Sequence, residues 1–337
     1  MVVGAGAAGL AAAAAGRQMG WDPLLLERDA AVGGAWRYIN PALQCLSPRN
    51  RDQMPDGRCP PGRTERANVA EVLAAIEGYA EAAAHRIRHG VVATGLTRRA
   101  DGLCLQTTAG DVLTRRVIVA TGEYGKPYRL PLEGTFSGSI EHTHDWEKLR
   151  YPAGTRVVVV GAGNSGVEAA VSLAAAGVKV YLATGREVRK PPAERRGLLG
   201  TLAWWVSGVP ISRLPARGGC THQTPVVNPG LYEAVQRGQV EVVPAAQSLE
   251  ETGLRVSGGG LVVCEHIVLA TGYRRETQWL RPLVSHSDQG VPIHNAGVSP
   301  EVPGLGFVGI PCMRTRRSGF LRGFVGDAQS VARRLKG

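Results

Sequence analysis

The sequence contains no C-x-x-C pair, no uninterrupted apolar run long enough to cross a bilayer, and no Lys/Arg block. Each absence removes a class of function. The six cysteines, at 45, 59, 104, 220, 264 and 312, lie far apart, and with MVVGAGAAG running straight into the first glycine loop no secretory or targeting segment is expected. Free thiols and a cytoplasmic location are the expectation, and a dithiol redox centre is disfavoured. The longest apolar stretch, GLLGTLAWWVSGVPI at 197–211, is broken by Gly, Thr, Ser and Pro and falls short of the ~20 residues a membrane span needs. Trp204 and Trp205, behind Arg195 and Arg196, leave a membrane-surface element open, although a helix lining an apolar cavity is the commoner use of such a stretch. The net charge of +11 is almost entirely arginine, spread along the chain with no recognition motif. That fits a solvated surface and attraction for anionic cofactors, and no nucleic-acid partner is expected. What remains is a chain of 337 residues, 44% hydrophobic, large enough for two domains with cores of their own.

Two segments share one layout. The first runs VV, GAGAAG at 4–9, LAAAAAGRQMG, then PLLLERD, which reads as strand, glycine turn, helix and strand. In such a turn Gly4, Gly6, Ala8 and Gly9 let the backbone approach a pyrophosphate, and the helix N-terminus offers it free N–H groups and a positive dipole end. Glu27, closing the second strand, is placed to accept hydrogen bonds from a ribose diol. The second segment repeats this with RVVVV, GAGNSG at 161–166, VEAAVSLAAAG and VKVYLATGREVRK. Glu27 lies 23 residues after Gly4, and 23 residues after Gly161 stands Thr184, followed by Arg186, Arg189 and Lys190. An acid repels a 2′-phosphate, whereas a neutral slot followed by cations accepts one, so this site should prefer NADPH. A merely solvated basic turn is the alternative reading.

The repetition extends downstream: VIVATGEYGKP at 117–127 and HIVLATGYRR at 266–275 each read as a short buried strand ending in Ala-Thr-Gly, with Thr121, Gly122, Thr271 and Gly272 at the crossings. The fold class inferred is α/β, with two Rossmann-like dinucleotide-binding domains: an FAD-type outer domain over 1–149 and 273–337, and an NADPH-type domain inserted at 150–272. A helix is expected at about 68–84, alternating strands near 103–108, a covering loop at 47–62, and a helix over GLYEAVQRG introduced by Asn228-Pro229. Only Val2 and Val3 follow Met1, where a central strand of this kind has about five residues. The expectation is a start upstream or a trimmed chain.

The two loops, GG-A-W at 33–36 (with Gly34 and Trp36), F-x-G-x-x-x-H-x-x-x-W at 136–146, and ATGY at 270–273 together resemble the flavin-containing monooxygenases and their Baeyer–Villiger relatives. The likeness covers the whole chain. TPVVNPGLYEAVQRGQVEVVP and the tail PGLGFVGIP…GFLRGFVGDAQSVA are most similar to the plant auxin-forming type and comparable bacterial enzymes.

The resemblance implies FAD and NADPH on one polypeptide, O2 and a small organic molecule as substrates, and oxygenation at nitrogen, sulfur or a ketone carbon through a C4a-peroxyflavin. It implies that Phe136, Gly138, His142 and Trp146 join the lobes and help seat NADPH, that Asn164 and Ser165 touch NADP, and that Asp327 lies near the flavin, a helix cap being its plainer reading. Asn50 is the substitute for a flavin-side Asn lost near Leu46. Arg37, Arg49, Arg314, Arg316 and Arg317 are candidates for a fixed cation, and Cys45 reads as an inert thiol in the flavin-facing segment. An H-x-H metal site in HTHD lacks a third ligand at suitable spacing, so no metal is expected. A homo-oligomer is compatible with the sequence, and no motif decides it. Two other readings stay open: an NADPH-dependent flavin reductase or oxidase without oxygen insertion, and a non-catalytic dinucleotide sensor.

Overall fold

A computed structural model describes residues 1–185, 206–210 and 230–336. Along the chain, the strands of its two large sheets are β1 (Val2–Val3), β2 (Leu24–Leu26), β3 (Arg86–Arg88), β4 (Val117–Val119), β5 (Ser139–His142), β6 (Arg156–Val160), β7 (Lys179–Ala183), β8 (Val240–Val243), β9 (His266–Leu269) and β10 (Leu305–Phe307). The helices that matter here are α1 (Ala7–Gln18), α2 (Val69–Ala82), α3 (Asn164–Ala175), α4 (Gly230–Gln236) and α5 (Leu321–Lys336).

One sheet has the order β10-β4-β1-β2-β3 and the other β8-β7-β6-β9-β5, every neighbouring pair parallel. Parallel strands need helical crossovers, and in the second sheet helices cover one face and antiparallel strands the other, which is why Val157–Val160 are all buried. Val157 and Val159 enter one core beneath α3 and α4, while Val158 and Val160 enter another with Leu254 and Ile267. Each unit also carries a three-stranded antiparallel sheet, over 93–114 and 246–263.

The expected helix at 68–84 is α2. Asn68 accepts from the Glu71 N–H at 2.8 Å while the Glu71 carboxylate accepts from the Asn68 N–H at 2.8 Å, a reciprocal cap that sets the start of the helix. The two ATG crossings meet, Tyr273–Arg274 pairing antiparallel with Lys126–Pro127. Two expectations change. Ser139–His142, which the sequence grouped with the outer unit, is the edge strand of the second sheet, in register with His266–Leu269. Asp327 does not open the last helix but sits inside α5, which begins at Leu321. Most of the apolar stretch 197–211 lies outside the described residues, as do Arg186, Arg189, Lys190 and Asn228-Pro229. Among the described residues, no helix is long and apolar enough to cross a membrane.

Candidate active site

The two glycine loops are built alike, atom for atom. Gly4 donates to Leu26 and Gly161 to Ala183, at 2.7 and 3.0 Å; Ala120 donates to Val3 and Ala270 to Val160, both at 2.8 Å. At the ends of the second strands, Glu27 donates to Arg88 and Thr184 to Val243, so the register comparison that matched Thr184 to Glu27 holds in space. Gly4 and Gly161 have φ of +99° and +108°, left-handed conformations that L side chains rarely adopt. A Cβ on Gly9 would stand 1.9 Å from the Gly4 carbonyl oxygen, and one on Gly166 the same distance from that of Gly161. These third glycines bring helix and strand together. By contrast, a Cβ on Gly163 would meet nothing within 4 Å, and one on Gly6 nothing nearer than 3.7 Å. That open space lies in front of the helix N-termini, where a pyrophosphate fits both loops.

One cavity of about 980 Å³ joins the two loops. Its first end is formed by Gly4, Gly6, Ala8, Glu27, Gly34 and Trp36. The Glu27 carboxylate accepts the Ala5 N–H at 2.6 Å and the Asp29 N–H at 3.0 Å, which fixes it at the strand end with lone pairs left for a diol. Thr121 and Gly122 continue the wall, and Asn164, Ser165 and Glu168 of α3 enter from the second unit. Gly9, Gly161, Gly163, Gly166, Thr184, Thr271 and Gly272 shape the backbone around this space without lining it. Thr271 donates its hydroxyl to the Tyr128 carbonyl.

The fingerprint at 136–146 occupies the joint, each residue for a separate reason. Phe136 packs against the second sheet, and a Cβ on Gly138 would lie 2.2 Å from the Glu265 carbonyl oxygen, so this close approach requires glycine. His142 is fully buried: its Nδ1 accepts the His144 N–H at 3.0 Å, which leaves Nε2–H to donate to the Gly272 carbonyl at 3.2 Å. Burial lowers its pKa, so it stays neutral with both nitrogens engaged. It ties the strand to the crossing segment and does not line the cavity, whereas Trp146 does. Around it, His144 stacks on Tyr38 at 4.4 Å and Tyr273 meets Tyr124 edge-on at 5.0 Å. Ion pairs Arg28–Glu276 and Arg275–Glu123 complete the seam.

Several candidates from the sequence lie elsewhere. Arg49 faces away from the cavity: it donates to the Pro60, Thr64 and Arg66 carbonyls at 3.1, 2.9 and 3.2 Å and pairs with Glu71 at 3.0 Å. It holds the 60–66 loop. Asn50 lines a separate pocket with Arg49, Cys59 and Thr64. Arg37 pairs with Glu77 at the surface. Arg314 pairs with the buried Asp327 at 2.9 Å, and neither lines the cavity. Arg317 donates to Ser207 at 3.0 Å. Of the expected cations, Arg316 lines the cavity. Cys45 also does, its thiol pushed up to about 12 by burial, which keeps it protonated. The expectation that all cysteines are free fails at Cys312, a disulfide-bonded wall residue of the cavity with φ +59°. Cys45, Cys59, Cys104 and Cys264 are free.

Three wall residues were not singled out from the sequence. Glu168 lies four residues after Asn164, on the same face of α3, and burial raises its carboxyl to about 7. Its spacing from Asn164 could have found it. Asp52 is 1% exposed, its two oxygens 2.6 and 2.7 Å from the Ser47 hydroxyl, and burial raises its pKa. Arg322, on the first turn of α5, reaches the same wall. No periodicity marks Asp52, which lies in an irregular loop.

Two dinucleotide cradles facing one another across a single cavity define the class of oxidoreductase that works with FAD and NADPH. The chain belongs to the pyridine nucleotide-disulphide oxidoreductase family, whose sequence profile matches residues 1–198. It is 29% identical over 328 residues to an indole-3-pyruvate monooxygenase, YUCCA1, of Oryza sativa subsp. japonica, covering 83% of this chain and 78% of that protein. An uncharacterised CzcO-like oxidoreductase of Geobacillus kaustophilus is 26% identical over 340 residues, covering 98% and 95% of the two chains. The solved structure of a flavin-containing monooxygenase from Stenotrophomonas maltophilia has the same fold, with TM-score 0.77 at 24% identity over 99% of this chain and 96% of that one.

Proposed function

We propose that the protein is an FAD- and NADPH-dependent monooxygenase: NADPH, a proton, O2 and a small organic substrate become NADP+, water and the oxygenated product. One observation carries the reading. A single cavity is walled on one side by the first loop, Glu27 and Trp36, and on the other by Asn164, Ser165 and Glu168, so the two sets of residues would hold both dinucleotides in one shared space. Bound FAD supplies hydride acceptance and O2 activation. The chain's own residues orient the two cofactors and exclude water.

In this reading the N-termini of α1 and α3 take the two pyrophosphates, Glu27 takes the flavin-side ribose, and Thr184 leaves room for a 2′-phosphate. Trp146 and Tyr273 close the seam, and the Tyr273 hydroxyl, pushed up to about 12 by burial, remains a neutral donor. His142 acts by position: with both nitrogens occupied it neither gives nor takes a proton in the reaction. We read the insertion as an outer FAD lobe interrupted by an NADPH lobe, with the first boundary moved ahead of Ser139. The test is the stoichiometry of the FAD-loaded protein with NADPH and candidate amines, thioethers and ketones. Oxygenated product matching the NADPH consumed is expected; hydrogen peroxide in full yield with every substrate would refute the reading.

A second reading rests on Cys312. Cys312 is a disulfide-bonded residue of the cavity wall, and with FAD bound NADPH and one proton would reduce that S–S bond to two thiols, leaving NADP+. Anaerobic NADPH followed by thiol titration decides it. Two new thiols per chain support the reductase, and an unchanged count rejects it.

A further inference from the structure

Arg322 is the cavity's unusual cation. Its guanidinium carbon lies 4.5 Å from the centre of the Phe320 ring, a cation–π contact that uses none of its N–H donors in a hydrogen bond. Among the described residues it makes no hydrogen bond and no ion pair. The neighbouring acid, Asp52, is turned to the Ser47 hydroxyl and is not within ion-pair reach of Arg322. Its other charged neighbours are Arg51 and Arg317, which make the site more positive, and burial is the main cause pulling the Arg322 pKa down. A half-buried guanidinium with its hydrogen-bonding edge unused is costly unless a ligand brings the acceptors.

The positions where cofactor phosphates fit are elsewhere. They lie at the α1 and α3 N-termini and at the end of β7, whereas Arg322 stands on α5 beside Phe320 and Asp52. A planar guanidinium matches a planar carboxylate through two parallel N–H···O bonds.

We propose that Arg322 forms an anion subsite of the cavity and that the substrate is a small organic acid held there by its carboxylate, Phe320 fixing the guanidinium plane. This rests on the monooxygenase reading for the reaction but not for the binding. The test therefore uses equilibrium binding to the oxidised FAD-loaded protein, read by flavin difference spectra and calorimetry, with no turnover. The probes are benzoate and phenylacetate against benzamide and phenylacetamide. Wild type is expected to bind the acids at least ~10-fold more tightly than the amides, as a hydrogen-bonded charge pair contributes. Arg322→Met should weaken the acids about 10- to 100-fold and leave the amides unchanged, with Arg322→Lys in between because it keeps the charge and loses the fork.

Acids and amides binding wild type alike would overturn the subsite without reference to any variant. So would acids binding Arg322→Met as tightly as wild type at unchanged FAD content. Acid binding that persists while NADPH yields only hydrogen peroxide would leave the subsite standing and refute the oxygenation reading, so the two failures are separable.

Discussion

The contrast between Gly163 and Gly166 tests the account of the second loop. Both belong to one motif, three residues apart, yet a Cβ on Gly166 would lie 1.9 Å from the Gly161 carbonyl oxygen and one on Gly163 would meet nothing within 4 Å. The obstacle at Gly166 is backbone, so relief requires α3 to move off β6. Overpacking of this kind costs about 3 kcal/mol, the upper part of its usual range. Gly163→Ala keeps an allowed φ of −77° and loses only a glycine helix cap, about 1 kcal/mol. At roughly 2–4 °C per kcal/mol, Gly166→Ala should lower the melting temperature of the NADP-free protein by roughly 6–12 °C and Gly163→Ala by no more than about 4 °C.

Affinity should move the other way. The added methyl of Gly163→Ala stands where the pyrophosphate approaches and should weaken NADP+ binding about 10- to 100-fold, the worth of a charge-assisted hydrogen bond. Thermal melts followed by circular dichroism and NADP+ titration by calorimetry read the two effects separately. A Gly163→Ala protein that binds NADP+ like wild type would refute the assignment of that open space to the cofactor. One destabilised as much as Gly166→Ala would refute the packing argument.

Three further outcomes follow from the same geometry. The pKa of His142 is lowered in the fold, so the unfolded chain takes up the proton first and stability declines as pH falls below about 6.5; in melts from pH 8 to 5, His142→Asn should start less stable and show a shallower decline, and an identical slope would count against the neutral tautomer. Arg49→Met should cost about 3 kcal/mol by releasing the carbonyls of the 60–66 loop, with substrate selectivity unchanged, as checked by denaturant melts and product ratios. Thr184→Glu should bring an acid to the 2′-phosphate slot and cut the preference for NADPH over NADH by roughly 10-fold or more, measured as the ratio of kcat/KM values.

What could be read from the sequence is local. A glycine that needs positive φ, a helix capped three residues from its start, and a strand buried on both faces are each decided by residues within a few positions, so both loops, α2, the paired ATG segments and the slot of Thr184 were legible. Glu168 was legible too, one helical turn beyond Asn164, for a reader who followed the face of α3 inward.

Tertiary structure alone decided the rest. Arg49 and Arg322 are the same residue type, one opening a 3-10 turn and the other on the first turn of α5, but one grips the carbonyls of a loop and the other enters the cavity. His142 joins Gly272 across 130 residues, and Ser139–His142 enters the second sheet by pairing with His266–Leu269, far along the chain. Period and propensity describe how a segment sits on its own axis; which side chains face a common cavity depends on how distant segments pack against one another, and no local pattern encodes that.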